Sequence, residues 1–419
     1  MMALILFFLV LALLVLRQNV VLILFVAAGY AHLVWGGGNL TWLIDDVWTS
    51  VNRDVLLAIP MFVLAGNIMT RGSIAERLIA IMRSLTAWLP GGLAVATILS
   101  CAVFAALSGS SPVTLLAVGS ILYPALLKEG YDRGFALGAL CSGGTLGIVI
   151  PPSIPLILYG IVTEKSIADL FIAGILPGLL LTGVLAIYSL VTNRHIEARP
   201  FSFGEFAGAM KSGIFALFTP VILLGGIYSG YFSATEAAAV AVGYALLVEM
   251  LIHRELKLKD FYEIAIETSR LLGTLLPIVA VALSINLLLT AEQIPQDFAR
   301  WMSASVDNKI IFLILLNLFL LAIGCLIDIG SAILMLAPIL MPVAAAYGID
   351  PIHFGIIMVV NLEIGYLTPP IGLNLIVAMT AFKEPFLLIC RAVIPFILLM
   401  LGVLIAVVWF PQLSLGLLG

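Results

Sequence analysis

Apolar runs follow one another along almost the whole chain, separated by short polar breaks, and this pattern leaves few folds open. Met2–Leu16 is apolar up to the break Arg17-Gln18-Asn19, and Val20–Trp35 and Val55–Met69 follow. Longer blocks cover 91–127 and 134–162, then 169–192, 214–231, 236–252 and 271–290, then 309–346, 352–382 and 386–411. Backbone polar groups in lipid are satisfied only by helices or closed barrels. A barrel needs alternating segments of about ten residues. These runs are longer and uniformly apolar, so an all-α membrane protein with many spans is expected. The first run lacks the basic start and small-residue cleavage site of a signal peptide and reads as the first membrane helix. Residues 71–90 and 292–305 are too mixed to span and suit helices lying along the interface.

Composition closes the alternatives. Only 10% of the 419 residues are charged and 63% are hydrophobic, with a mean hydropathy of +1.23. A soluble domain carries about 25% charged residues, so a water-soluble enzyme is excluded. Disorder is excluded too, because it requires low hydrophobicity. The net charge of −4 is spread out, with no basic run for nucleic acid. Cys101, Cys141, Cys325 and Cys390 stand alone in apolar stretches, with no metal spacing. The four histidines are scattered and fit structural or interfacial roles. No phosphate-binding G-x-x-x-x-G-K-[ST] motif is present, so ATP hydrolysis is not expected.

The most informative feature is an internal repeat. ILYPALLKEGYDRGFALGALCSGGTLGIVIPPSI (121–154) superposes without a gap on ILMPVAAAYGIDPIHFGIIMVVNLEIGYLTPPIG (339–372). Pro124 falls on Pro342, Gly130 on Gly348, Asp132 on Asp350, Gly147 on Gly365, and Pro151-Pro152 on Pro369-Pro370. Upstream, SGSSP (108–112) falls on LIDIG (326–330). Each half reads as two short apolar stretches around a polar tip, a re-entrant hairpin. A helix broken at GTLGIVIPPS or EIGYLTPP comes next. Proline removes an N–H and breaks the helical ladder. Paired Gly/Pro-interrupted segments at corresponding positions are the best sequence pointer to a transporter's binding site.

Proline is favoured at the first helical position and serine at the cap before it. Half-helices are therefore expected to begin at Pro112, Pro152 and Pro370. Their N-termini suit an anion, and the carbonyls of the half-helices that end before the breaks suit Na⁺. Lys128, Arg133, Lys165, Lys309 and Lys383 all lie at segment ends, so no salt bridge to an anion is expected at a tip or break. Asp328, at the second tip, is a cation or substrate contact, a cap for the next half-helix, or both. Glu363 is a site for Na⁺ or H⁺, or a partner of unwound backbone. Ser108, Ser110, Ser111, Thr145, Ser331 and Thr368 offer hydroxyls to a ligand or to their own helices. Arg194, Arg199 and Lys211 before the 214–252 pair, and Arg254, Lys257 and Lys259 after it, place both loops on the cytoplasmic side if that pair turns near Gly230. Ser233–Glu236 fits a capping box at that turn.

With these motifs in view, the chain resembles the large membrane subunit of tripartite ATP-independent periplasmic (TRAP) transporters. The resemblance rests on SGSSPVTLLAVGS (108–120), GTLGIVIPPSI (144–154), GGIYSGYFSATEAAAVAVGYAL (225–246) and GIDPIHFGIIMVVNLEIGYLTPPIGLNL (348–375), and covers nearly the whole chain. It implies an inverted-repeat, elevator-type secondary transporter in a bacterial or archaeal inner membrane, not an enzyme. Such a protein imports a small organic acid with Na⁺ as coupling ion and no cofactor. A C4-dicarboxylate is the first expectation and sialic or another sugar acid the second. It further implies a periplasmic substrate-binding protein and a separate four-helix small subunit as partners.

By motif position, the resemblance places Na⁺ on Ser108, Ser110, Gly144 and Gly147, and on Gly324, Asp328, Gly365 and Thr368. Substrate is expected at Ser111, Thr145, Pro152, Ser331 and Pro370. The implied division is 1–90 scaffold and interfacial arm, 91–165 first half of the transport domain, and 166–305 central scaffold and second arm. The second half of the transport domain is 306–385, and 386–419 is a final scaffold helix. The competing readings are a stand-alone ion-coupled carrier or antiporter of related repeat design, an intramembrane enzyme, for which no nucleophile–base pair or metal cluster is visible, and a channel.

Overall fold

The computed structural model describes residues 2–16 and 18–418; the expected break at Arg17 lies outside them. The described residues form helices and no strands. The first three helices are α1 (Met2–Val15), α2 (Val20–Val34) and α3 (Leu40–Val51). The first repeat follows as α4 (Ala58–Arg71), α5 (Ile74–Thr86), α6 (Gly92–Ser108), α7 (Ser111–Lys128), α8 (Arg133–Val149), α9 (Ile154–Thr163) and α10 (Ile167–Thr192). Two connecting helices are α11 (Phe203–Tyr228) and α12 (Ala234–Leu246), the latter prolonged by a π-helical turn, Leu247–Ile252. The second repeat is α13 (Leu258–Ala291), α14 (Ile294–Ser305), α15 (Lys309–Gly324), α16 (Ile329–Ala346), α17 (Pro351–Gly365), α18 (Leu373–Phe382) and α19 (Phe386–Trp409). A short α20 (Gln412–Leu415) closes the chain. Among the described residues, nine helical stretches are long and apolar enough to cross a membrane.

Seven helices thus recur in the same order in each half, and local chemistry explains the match. Asp132 caps α8 by accepting from Phe135 N at 2.8 Å. Its counterpart Asp350 caps α17 through Ile352 N at 2.8 Å and His353 N at 3.1 Å. The turns before both caps need a left-handed residue, supplied by Gly130 (φ +85°) and Gly348 (φ +69°). The expected capping box is formed: Ser233 N donates to Glu236 Oε2 at 2.8 Å, and Glu236 N donates to Ser233 Oγ at 3.2 Å. The α11–α12 pair turns at Gly230, as the spacing requires.

One end of the bundle is a layer of ion pairs. Arg83 and Arg199 both reach Glu129 Oε1, at 3.3 and 3.1 Å. Arg71 meets Glu263 at 3.0 Å, and Arg133 pairs with Glu384. Glu249, from the π-helical turn, caps α5 from another element: Ser73 N donates to it at 2.8 Å and Ile74 N at 2.7 Å. These contacts gather the ends of α4, α7, α10, α12 and α18 with the starts of α5, α8 and α13. At the opposite end, Tyr159 O–H donates to Pro351 O at 2.6 Å, and Tyr347 O–H donates to Val306 O at 2.6 Å. The α6/α7 pair therefore starts and ends at the charged end, whereas α15/α16 starts and ends at the other. The repeats are inverted.

The two hairpins differ. α6 and α7 pack on each other and on α8, as expected. α15 and α16 barely touch: α15 lies along α17, while α16 lies on α14, α9 and α17. The reason is a backbone crossing. A Cβ built on Gly365 would lie 2.6 Å from Gly324 Cα, a fit only glycines allow, and it holds α15 against α17. The repeats also interlock, with α9 packing on α16 and α18 on α7.

Candidate functional site

Each broken helix is stitched to a hairpin tip of its own repeat. Ile154 N, after the first break, donates to Gly109 O at 3.3 Å. Gly372 N, after the second, donates to Cys325 O at 3.3 Å. Both breaks carry a cis Pro-Pro bond, Pro151-Pro152 and Pro369-Pro370. The half-helices begin later than proline spacing suggested. α9 starts at Ile154 under Ser153, with Pro155 at its first turn, and α18 starts at Leu373 under Gly372. Pro152 and Pro370 therefore lie in the unwound links and not at helix starts. Of the three expected starts only the one at Pro112 is met, with Pro112 in the first turn of α7.

The two tips meet at one cavity of about 330 Å³. Ser108–Val113 and Asp328–Ser331 line it, with Ile148, Ile154, Pro155 and Leu158 from the first broken helix and Tyr366 from the second. The far wall is Val63 of α4 and Leu271, Thr274, Leu275 and Ile278 of α13. No lysine, arginine or histidine is among the lining residues. Tip and core approach closely: a Cβ at Gly147 would lie 2.8 Å from Ser110 O, and one at Gly66 3.2 Å from Ser108 Cα.

The pseudo-equivalent helix starts at this cavity differ in charge. Asp328 caps α16, its Oδ2 accepting from Ser331 N at 2.8 Å and its Oδ1 from Ser331 Oγ at 2.6 Å. Ser110, at the same repeat position, makes no side-chain cap on α7. The Ser111 hydroxyl is buried there without a partner. Ser108 Oγ instead shares a hydrogen bond with Thr114 Oγ1 at 2.7 Å. One helix N-terminus is thus neutralised by a carboxylate and the other is left electropositive.

Of the sequence-derived candidates, Ser108, Ser110, Ser111, Asp328 and Ser331 line the cavity. Gly147 packs behind the first tip, and Gly144 lies a turn away against Leu115. Gly324 and Gly365 touch each other, and Thr368 Oγ donates to Ile364 O at 2.8 Å, beside the cavity and not in its lining. Pro152 is buried, with its carbonyl close to Gly109, and Pro370 is exposed; neither lines the cavity. Thr145 is also absent from the lining; it is fully buried and donates to Ser142 O at 2.7 Å. Sequence reasoning missed the α13 wall and Tyr366. Tyr366 could have been noticed as the aromatic inside the second break. The α13 wall carries no local signal, because only the packing of α13 on α16 brings it there.

Two interlocked, inverted repeats with their broken helices and tips gathered at one cavity define a class: a polytopic membrane protein built like a transporter. The particular family follows from comparison. Residues 5–413 match the model of the tripartite ATP-independent periplasmic transporter, DctM component, and the chain belongs to that family. It is 44% identical over 365 residues to the C4-dicarboxylate TRAP transporter large permease protein DctM of Pseudomonas aeruginosa, covering 86% of each chain. It is 35% identical to the sialic acid TRAP transporter large permease protein SiaM of Vibrio cholerae, covering 94% of this chain and 92% of that one. The fold is similar to the Alcanivorax borkumensis YdaH transporter, with a TM-score of 0.56 at 15% identity, covering 88% and 87% of the two chains. The family is one of transporter permeases, not enzymes.

Proposed function

We propose that this protein is the large permease subunit of a sodium-coupled importer of a small organic acid, a C4-dicarboxylate first and sialic or another sugar acid second. The observation that carries the reading is the single cavity where both tips meet, with one helix N-terminus uncapped and the other capped by Asp328. A carboxylate is suited to the open start of α7, where Ser111 offers a hydroxyl and the helix end its partial positive charge. A cation is suited to Asp328 and to the oxygens at both breaks. With no basic side chain in the lining, the anion and the cation neutralise each other, which makes binding of one depend on the other.

In this reading the moving part comprises 91–165 and 306–385, sliding against a scaffold that includes α4 and α13, in an elevator cycle. The basic end faces the cytoplasm under the positive-inside rule, and the membrane is the bacterial or archaeal inner membrane. A separate small membrane subunit and a periplasmic substrate-binding protein complete the system.

The test is uptake into proteoliposomes holding both membrane subunits, with the binding protein added outside. Asp328→Asn keeps an acceptor for the α16 cap and removes the charge. Sodium-driven uptake is expected to be lost while thermal unfolding stays near wild type. Asp328→Ala is expected to lose uptake and about 0.5–2 kcal/mol of stability with the cap. Unchanged uptake with unchanged sodium dependence in both variants would refute the assignment.

A further inference from the structure

The mixed-polarity helices α5 and α14 hold the two hairpins at one matched position. The repeat offset of 218 pairs Glu129 with Tyr347, and these residues end α7 and α16, the outgoing helices of the hairpins. In the second repeat the hold is neutral. The Tyr347 hydroxyl lies 3.1 Å from Met302 O of α14 and 2.6 Å from Val306 O at the end of that helix. In the first repeat α5 is the counterpart of α14, and the hold is charged. Arg83, in the last turn of α5, reaches Glu129 Oε1 at 3.3 Å. Arg199 reaches the same oxygen at 3.1 Å from the link between α10 and α11. That link is fastened to the end of α5, because Arg199 N donates to Ala87 O at 3.0 Å. The two guanidinium groups therefore form one jaw, closed on Glu129.

The jaw spans the proposed boundary between the sliding part and the scaffold. Glu129 lies in 91–165, Arg83 in 1–90 and Arg199 in 166–305. Among the described residues every other ion pair, histidine contacts included, stays on one side of that boundary. Arg133–Glu384 is internal to the sliding part, and the pairs of His32, Arg71, Arg77, His253 and Arg300 are internal to the scaffold. The Glu129 side chain is 24% exposed, against 40% for Arg83 and 68% for Arg199, and a cavity of about 680 Å³ is bordered by all three. Water reaches these groups, so parting them leaves no bare charge in a dry interior, as parting a buried pair would. Glu129 is also 18 residues from Ser111, roughly 27 Å along α7 at the helical rise, and does not line the cavity at the tips.

We propose that Glu129 is a positioning residue of the transport cycle: its double ion pair latches the first hairpin to the scaffold in the packing seen here, and opening that latch is a step of the movement. The step exists only if 91–165 slides, as the importer reading has it.

The test is the distance across the boundary in the full chain, reconstituted in lipid. Spin labels at Lys128→Cys and Arg194→Cys stand on its two sides, and pulsed electron paramagnetic resonance reads their separation. Both positions are exposed and make no ion pair among the described residues. The single-cysteine proteins give the background from the native cysteines. An exposed ion pair shifts an equilibrium by between about 1.4-fold and about fivefold. In Glu129→Gln, which keeps the shape and removes the charge, the ratio of a second distance to the main one is expected to rise about two- to tenfold. Arg83→Gln combined with Arg199→Gln is expected to give the same shift. A distribution identical to wild type in either variant overturns the proposal. Raising choline chloride from about 0.1 M to about 1 M shortens the screening length from about 10 Å to about 3 Å. Wild type should then move toward the Glu129→Gln distribution while that variant stays put, and equal movement of both overturns an electrostatic latch. In proteoliposomes, a reducible crosslink between Glu129→Cys and Arg199→Cys is expected to stop uptake until it is cleaved, and full uptake with the crosslink in place overturns the proposal. A wild type that takes up none of the tested acids counts against the importer reading, and the distances still decide the latch.

Discussion

Gly365→Ala is the sharpest test of how the second hairpin is held. The added Cβ would sit 2.6 Å from Gly324 Cα, 2.7 Å from Gly324 C and 3.1 Å from Cys325 N. All three atoms are backbone, so no side chain can rotate away. Carbon atoms rest at about 3.5–4.0 Å, so α15 and α17 must separate by roughly 1 Å. Overpacking of this kind costs about 1–3 kcal/mol, between about fivefold and over a hundredfold in the population of the packed state. The separation also strains the Gly372 N to Cys325 O bond that ties the break to its tip. We expect a clear fall in melting temperature and, in the proposed uptake assay, a larger fall in transport. Gly225→Ala and Gly273→Ala are the controls, because a Cβ there meets nothing within 4 Å. They should leave uptake unchanged and stability level or slightly raised, since alanine favours a helix over glycine. Wild-type uptake and melting in Gly365→Ala would refute the reasoning.

Three further outcomes follow from the same geometry. Glu249→Ala strands the N–H groups of half-buried Ser73 and buried Ile74 and should cost on the order of 3 kcal/mol in thermal unfolding, with Glu249→Gln milder because one acceptor remains. Glu384 is buried, which opposes its charge, but Tyr123 O–H at 2.7 Å and Arg133 outweigh that and hold its carboxyl below the usual range. Its contribution is therefore present at neutral pH and lost as pH falls through the carboxylate range, and Arg133→Gln should weaken that acid sensitivity in a melting series. Ser111→Ala should raise the KM for substrate more than it changes sodium dependence if the α7 start holds the anion, and an unchanged KM would count against that placement.

The inverted repeat was legible because its punctuation is local. Pro124 and Pro342, Gly130 and Gly348, and Asp132 and Asp350 each act on their own turn of chain, so their spacing announces the elements without any tertiary information. The breaks were readable for the same reason. Helix starts after them were not, because Pro152 and Pro370 sit in links whose length depends on how the tips tie them down. The capping box Ser233–Glu236 announced itself, whereas Glu249 did not: its partners are 175 and 176 residues away.

The amino-acid order alone determined that this chain lives in lipid, is helical, is duplicated, and interrupts two helices at matched places. Each of those follows from hydropathy, period and residue chemistry within a few turns. Only the folded molecule decided that both tips share one cavity, that α15 and α16 part company, and that Thr145 lies beside Glu363 and outside the cavity lining. Those outcomes depend on the close approach of glycine backbones and on which apolar face meets which, and a uniformly apolar sequence does not say which faces will meet.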